Sequence, residues 1–260
     1  MTTPHELAAL ARRAAELGGR VVLAGRGGHP AEHKGTGDYV TEVDRASERA
    51  ITELLSTELP DVPVVGEERG GEAGPRYWVV DPLDGTTNFV HGFPLVGVSV
   101  ALVEDGRPVA GAIHAPFLDE TWVASRGAGA TVERSDGSVS RLRVSSTPVE
   151  RAIVATGFPF RRKEQLPRYL RTMTSALERF EDLRRPGAAS LDLAWVAAGV
   201  FDGFFELGLS PWDVAAGALL VEEAGGLVTD WAGGPGYLGG DILAAPAPVH
   251  EVLLRLATAT

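Results

Sequence analysis

The sequence predicts a layered α/β protein. Three observations carry that expectation. Two amphipathic helical patterns open the chain, strand-like runs separated by tight turns follow as a meander, and helix and strand patterns alternate after Arg151. Leu7, Leu10, Ala14, Leu17 and Val21 recur at the three- and four-residue spacing of a first helix, which the glycines from Gly25 to Gly28 end. A second helix is expected after Thr41, whose hydroxyl can cap it with Asp44 at the third position, with Ala46, Ala50 and Leu54 as its buried face and Pro60 as its stop. Val62 to Val65 and Tyr77 to Val80 are β-branched runs of the kind that form buried strands, and each runs into carboxylates, Glu67-Glu68 and Asp81. Residues 95–104, 108–114 and 120–125 read as an antiparallel meander. Beyond Arg151, strands are expected at 152–155 and 201–206, and helices at 163–180, 188–199 and 211–224. One unit spanning 1–260 is expected, with sub-halves of about 1–145 and 146–260. The polar stretch from Ser135 to Ser146 is the candidate boundary, and its composition suits a surface hairpin equally well.

Composition narrows the classes of function. With no cysteine, disulfide scaffolds, zinc ribbons, Fe–S clusters and cysteine nucleophiles are excluded, and a cytoplasmic setting fits. The net charge of −11 disfavours nucleic acid and anionic lipid as partners. The charge is also uneven, because Arg255 is the only Lys or Arg from Gly187 onward. Met1 to Glu6 has neither the basic nor the apolar region of a signal peptide. The longest uncharged apolar run, Leu95 to Val103, is about half a membrane span, so no transmembrane helix is expected.

The chemistry concentrates in Asp81-Pro82-Leu83-Asp84-Gly85-Thr86-Thr87-Asn88-Phe89. Pro82 presets its φ and Gly85 permits a tight approach, so Asp81 and Asp84 can converge while Thr86 and Thr87 begin a helical turn whose free amides suit an oxyanion. Glu67-Glu68 ends the preceding strand, and Asp213 opens a later helix, so all could meet at one sheet edge. Four carboxylates about 5 Å apart repel by about 3 kcal/mol per pair at an effective dielectric of 20, which calls for cations. Oxygen ligands alone point to a hard ion, with Mg²⁺ favoured over Zn²⁺ or Cu²⁺, and Ca²⁺ and Mn²⁺ still open.

Other catalytic patterns do not fit. Histidines 5, 29, 33, 91, 114 and 250 are scattered and show no helical zinc spacing. The aspartates are three residues apart, not the two of haloacid-dehalogenase-type phosphatases. Gly97-Val98-Ser99-Val100-Ala101 lacks the final glycine of a nucleophile elbow, and Gly25-Arg26-Gly27-Gly28 follows a helix, unlike a P-loop or dinucleotide loop.

Gly66-Glu67-Glu68, the Asp81 to Phe89 motif and Trp212-Asp213-Val214-Ala215-Ala216-Gly217 resemble the inositol monophosphatase family in order and spacing, over roughly Lys34 to Gly226. The resemblance implies a layered α/β/α/β/α sandwich and a homodimer. It also implies a lithium-sensitive, Mg²⁺-dependent phosphomonoester hydrolase acting on a small-molecule phosphate. By resemblance, Glu67, Asp81 and the Leu83 carbonyl hold one Mg²⁺, and Asp81, Asp84 and Asp213 a second. A third, weaker ion near Glu67 is implied, with Glu68 or Asp44 contributing around it, and Lys34 matches the family's lysine-containing loop over the active site. Gly85, Thr86 and Thr87 bind phosphate through backbone amides, and Glu206 and Ala189 contact the substrate. The implied chemistry is in-line attack on phosphorus by a metal-activated water that Thr86 and Glu67 orient. Thr87-Asn88-Phe89 favours inositol phosphate over histidinol phosphate, fructose 1,6-bisphosphate or 3′-phosphoadenosine phosphate. A non-catalytic regulatory binding protein is the alternative of another class.

Overall fold

Alternate residues along single strands feed different cores, and that alternation explains the layers. The computed structural model describes residues 3–27, 32–35 and 38–259, with backbone alone for 33–35 and 38–40. The strands are β1 (Glu32–Gly35), β2 (Asp38–Val40), β3 (Val64–Gly66), β4 (Arg76–Asp84), β5 (Gly97–Glu104), β6 (Arg107–Ala115), β7 (Glu120–Ser125), β8 (Gly129–Arg134), β9 (Val139–Arg141), β10 (Ile153–Thr156), β11 (Asp182–Arg184), β12 (Gly203–Glu206), β13 (Leu227–Thr229) and β14 (Ile242–Ala245). The helices are α1 (Pro4–Ala24), α2 (Glu42–Glu58), α3 (Thr86–Val90), α4 (Leu166–Arg179), α5 (Ala189–Ala197), α6 (Pro211–Glu223) and α7 (Ala247–Thr258).

Strands β3 to β9 form one sheet in chain order, antiparallel except for the parallel β3–β4 pair, and β11-β10-β12-β14-β13 form a second, mixed sheet. In the first sheet Trp78, Val80, Val98, Val100 and Leu102 point to a core shared with α1 and α2. Val79, Ala101, Val103 and Ile113 point the other way, to a core filled by α5 and α6. The second sheet closes that middle core with Ala155, Phe204, Ile242 and Ala244, while its Val154, Phe205, Leu243 and Ala245 pack under α4 and α7. The order is helix, sheet, helix, sheet, helix: the expected α/β/α/β/α sandwich. Helices α5 and α6 carry apolar residues on every face because they are sandwiched between two sheets.

The antiparallel meander and the later alternation form where the sequence predicts them. The buried face of α2 is rotated from the predicted one, and that of α1 departs at its C-terminal half. On α1 the predicted Leu7, Leu10 and Ala14 are buried, with Ala11, Ala15, Gly18, Gly19 and Val22 beside them, while Leu17 and Val21 are half-buried. The helix lies so close to the sheet that a Cβ at Gly19 would sit 2.2 Å from His114 Cδ2. His114 is itself buried and tied to Thr121 Oγ1 at 2.8 Å, so Gly19→Ala is expected to cost about 1–3 kcal/mol, read as a lower urea midpoint. An unchanged midpoint would show that the contact is soft. On α2 the buried face is Val43, Asp44, Ser47, Glu48, Ile51 and Leu55, and Ala46, Ala50 and Leu54 are half-buried. Apolar periodicity points one residue off because three polar side chains turn inward, toward the site. The predicted cap is present, Thr41 and Asp44 exchanging bonds at the start of α2.

Candidate functional site

Strand β4 ends in a bulge between Asp81 and Asp84, which puts both carboxylates at the edge shared with the first turn of α6. Asp81 is almost fully inaccessible and receives the Leu83 amide at 2.9 Å. Asp84 accepts the Ser190 amide at 2.7 Å and the Ser190 hydroxyl at 2.5 Å, which fixes it against the start of α5. Gly97 makes room for this contact, since a Cβ there would lie 2.5 Å from Ser190 Oγ. Asp213 accepts the Ser210 amide at 2.7 Å in the cap of α6, and the Trp212 carbonyl accepts Ser99 Oγ at 3.0 Å, tying that turn to β5. Oxygens of Asp81, Asp84 and Asp213 consequently lie within 4.8 Å of one another.

Burial and mutual repulsion push these acids toward protonation. Burial, followed by the charges of Glu67, Asp84 and Asp213, holds Asp81 well above the usual carboxylate range. Burial and Asp213 raise Asp84 to about 7, against the pull of its Ser190 bonds. A divalent cation relieves both costs, and the donors are all oxygen, so the residues fit a hard metal ion.

The turn after Asp84 is strained in the expected place. Gly85 caps α3 with φ +91, a conformation that suits glycine, and its Cβ position is 3.0 Å from the Leu95 carbonyl. The amides of Gly85, Thr86 and Thr87 open that helical turn, where intrahelical acceptors are lacking. The Thr86 hydroxyl lies 3.2 Å from both Asp44 Oδ1 and the Leu83 carbonyl. Asp44, buried on α2 and raised chiefly by desolvation, thus links the helix cap to the turn. Asn88 fastens the far side, donating to the carbonyls of Leu95 at 2.8 Å and Pro186 at 3.0 Å. That bond explains the motif's asparagine by structure.

A cavity of about 140 Å³ opens over these groups, lined by Glu67, Leu83, Ala189 and Glu206 as well as the aspartates and the Gly85 to Thr87 turn. Glu67 keeps 14% of its side chain exposed and lies 3.9 Å from Arg161 Nη1. Glu206 ends β12, and burial, then Asp213, raises it to about 8 while Arg185 opposes the shift. Gly157 provides its space, because a Cβ would fall 2.1 Å from the Glu206 carboxyl. Glu68 does not line the cavity, although its charge bears on Asp44 and Glu48. Lys34 is on β1, and its side chain lies outside the described residues.

Four further residues also shape the site. Ser190 positions Asp84, and Arg185 lines the cavity with its guanidinium over the rings of Phe158 and Phe160. Asp192 lines the cavity from within α5, where an acid in an otherwise apolar helix was the available signal. Glu48, one turn after Asp44, accepts the amides of Glu68 at 2.7 Å and Arg69 at 3.0 Å and so holds the chain next to Glu67. Glu48→Ala leaves those two amides without their acceptor, and Mg²⁺ affinity is expected to fall about tenfold by calorimetric titration, with Glu48→Gln recovering most of it. Equal affinity in all three proteins would remove this positioning role.

Layers and site together define a class: an α/β/α/β/α sandwich with a cluster of oxygen donors at one sheet edge. The chain belongs to the inositol monophosphatase family, whose family model matches residues 3–259. A Pasteurella multocida protein named Nus factor SuhB is 42% identical over 256 residues, covering 95% of this chain and 94% of its own. The crystal structure of extragenic suppressor protein suhB from Bartonella henselae has a TM-score of 0.88 at 39% identity, covering 96% of this chain and 97% of that one. An inositol monophosphatase from Anabaena (Nostoc) sp. PCC 7120 has a TM-score of 0.84 at 35% identity, covering 95% and 93%. The family is Mg²⁺-dependent, and the acidic cluster can hold such an ion. Among the described residues no helix is long and apolar enough to cross a membrane.

Proposed function

We propose that this chain hydrolyses small phosphate monoesters with Mg²⁺, and that inositol 1-phosphate is its preferred substrate. The observation that carries the reading is the convergence of Asp81, Asp84 and Asp213 within 4.8 Å, beside the amides of Gly85, Thr86 and Thr87. Glu67, Asp81 and the Leu83 carbonyl would hold one ion, Asp81, Asp84 and Asp213 a second, and the surroundings of Glu67, with Glu68 or Asp44 contributing, a third, weaker one. Bound there, Mg²⁺ supplies charge that polarises phosphoryl oxygens and acidifies water. The turn amides grip the phosphate. The Thr86 hydroxyl, its proton directed to Asp44 or the Leu83 carbonyl, keeps lone pairs free to align the attacking water, and Glu67 takes part in that alignment. Ser190 and the Ser210 cap hold Asp84 and Asp213 in place. Glu206 and the start of α5 at Ala189 meet the alcohol portion of the substrate.

Phosphate release in Mg²⁺ or EDTA tests the reading across inositol 1-phosphate, histidinol phosphate, fructose 1,6-bisphosphate and 3′-phosphoadenosine 5′-phosphate. Mg²⁺-dependent turnover led by inositol 1-phosphate supports it, and a different leader keeps the chemistry while moving the substrate. Relatives named Nus factor SuhB give a second reading, a regulatory binding role without turnover. Silence on all four compounds would favour that one. A lithium dose series and a sizing measurement test the accompanying proposals of lithium sensitivity and a homodimer.

A further inference from the structure

The mouth of the cavity holds an ion pair between two elements far apart in the chain. Glu67 follows β3 at the edge of the first sheet, and its Oε1 lies 3.9 Å from Nη1 of Arg161, on the loop that follows β10 in the second sheet. Arg161 also opposes the burial of Glu206, so its guanidinium faces two acids of one cavity. The two partners of the pair are held very differently. The Glu67 amide donates to the Val80 carbonyl at 3.2 Å, and the next two amides donate to Glu48, so the backbone under this carboxyl is fixed. The Glu67 side chain is 14% exposed, whereas that of Arg161 is 49% exposed. Residues 160–164 are all exposed. Behind them Phe158 meets Tyr169 edge-on in the core under α4, and Phe160 packs against Phe158 and the Arg185 guanidinium. The loop is therefore anchored at its root, and Arg161 reaches across to Glu67 from its exposed tip.

We propose that Arg161 is an internal cation that competes with Mg²⁺ for Glu67, so that it sets the affinity of the ion site and leaves Glu67 when the ion binds. The inference rests on the assignment of Glu67 to metal above and deepens it. A guanidinium at this distance takes up the space and the charge of the carboxylate's cation, and a divalent ion on the same oxygen would meet a like charge at close range. One of the two must give way. Glu67 is fixed from below by the Val80 carbonyl and Glu48, so the arginine is the group that moves. Its half-exposed position makes the exchange easy, because a pair open to water contributes little. The neighbouring cation has another place: Arg185 is held over Phe158 and Phe160 and bears on Glu206 and Asp192.

Calorimetric Mg²⁺ titration of wild type, Arg161→Gln, Arg161→Lys and Lys163→Gln tests the competition without reference to turnover. Arg161→Gln is expected to tighten Mg²⁺ binding about fivefold, a modest factor because the pair is partly exposed. Arg161→Lys keeps the charge and should stay within about twofold of wild type. Lys163→Gln removes the same charge from a residue that does not line the cavity, and it too should stay within about twofold. Equal tightening in Lys163→Gln would mark a general effect of net charge and overturns the competition, as does unchanged or weaker binding in Arg161→Gln. The second readout is limited tryptic cleavage after Arg161, Arg162 and Lys163, followed by mass spectrometry. In wild type Mg²⁺ is expected to speed cleavage there about threefold, because the loop loses its link to Glu67 and opens more often. Protection by Mg²⁺, or an unchanged rate, overturns the exchange. A wild type that binds no Mg²⁺ overturns the metal assignment and the competition together, whereas binding that is indifferent to Arg161 overturns the competition alone.

Discussion

Asp84→Asn is expected to lower Mg²⁺-dependent turnover about 10³-fold while leaving the metal-free fold at least as stable as wild type. The two effects run in opposite directions for one physical reason. Asp84 is 9% exposed, and its charge lies among Asp81 and Asp213 in a space of 4.8 Å, so in the absence of cations the negative form is disfavoured. Asparagine removes that charge and keeps an oxygen to accept the Ser190 amide and hydroxyl, the two bonds that anchor the side chain. The same change deletes an anionic donor from the proposed ion pair of sites, at about 4 kcal/mol of transition-state stabilisation for a thousandfold loss. Turnover and thermal unfolding in EDTA, measured on the same preparation, check both halves. Near-normal turnover would sink the assignment of Asp84 to metal. A collapse of both turnover and metal-free stability would instead make Asp84 a structural residue.

Much of this site was legible because its parts lie in three short segments that end or begin elements. A strand that runs into Asp-Pro-Leu-Asp-Gly-Thr must stop, and the φ of +91 at Gly85 is the conformation that its glycine implied. Trp212-Asp213 follows Ser210-Pro211, a helix start whose cap the third residue closes. What sequence patterns do not carry is the reach of side chains across layers. Glu48 reads as one more charge on an amphipathic helix, yet it is 1% exposed because the chain after β3 folds over it and gives it two amides. Asp192 is hidden in the same way. The layers were legible in the alternation of strands and helices. The exact buried face of α1 was not, because glycine and alanine carry little apolar signal but allow the closest approach to the sheet. Close packing selects for the absence of side chain, which periodicity of large apolar residues cannot register.

The metal-free protein is expected to lose stability as pH rises from about 5 to about 7.5, and Mg²⁺ is expected to abolish most of that loss. The sign follows from proton counting. Unfolded aspartates ionise near pH 4. Folded Asp84 holds its proton to about 7, and Asp81, pressed by burial, Glu67, Asp84 and Asp213, also titrates well above the usual range. Between those limits the folded state binds more protons than the unfolded one, so the unfolding free energy falls with rising pH. Surface acids behave oppositely but in a different window. Glu32 and Glu42, lowered by Arg45 and Arg49, contribute stability above their unfolded pKa and lose it only under more acid conditions. Bound at Asp81 and Asp84, Mg²⁺ would take the place of the protons they otherwise retain, so its binding would release protons at neutral pH and stabilise the fold by about 2.7 kcal/mol at a hundredfold excess over Kd. Melting temperatures in EDTA and in Mg²⁺ at the two pH values give the four corners of this cycle. Asp84→Asn removes one of the raised acids, so its EDTA slope should be shallower than that of wild type. Parallel pH profiles with and without Mg²⁺ would show that the buried aspartates do not bind the ion.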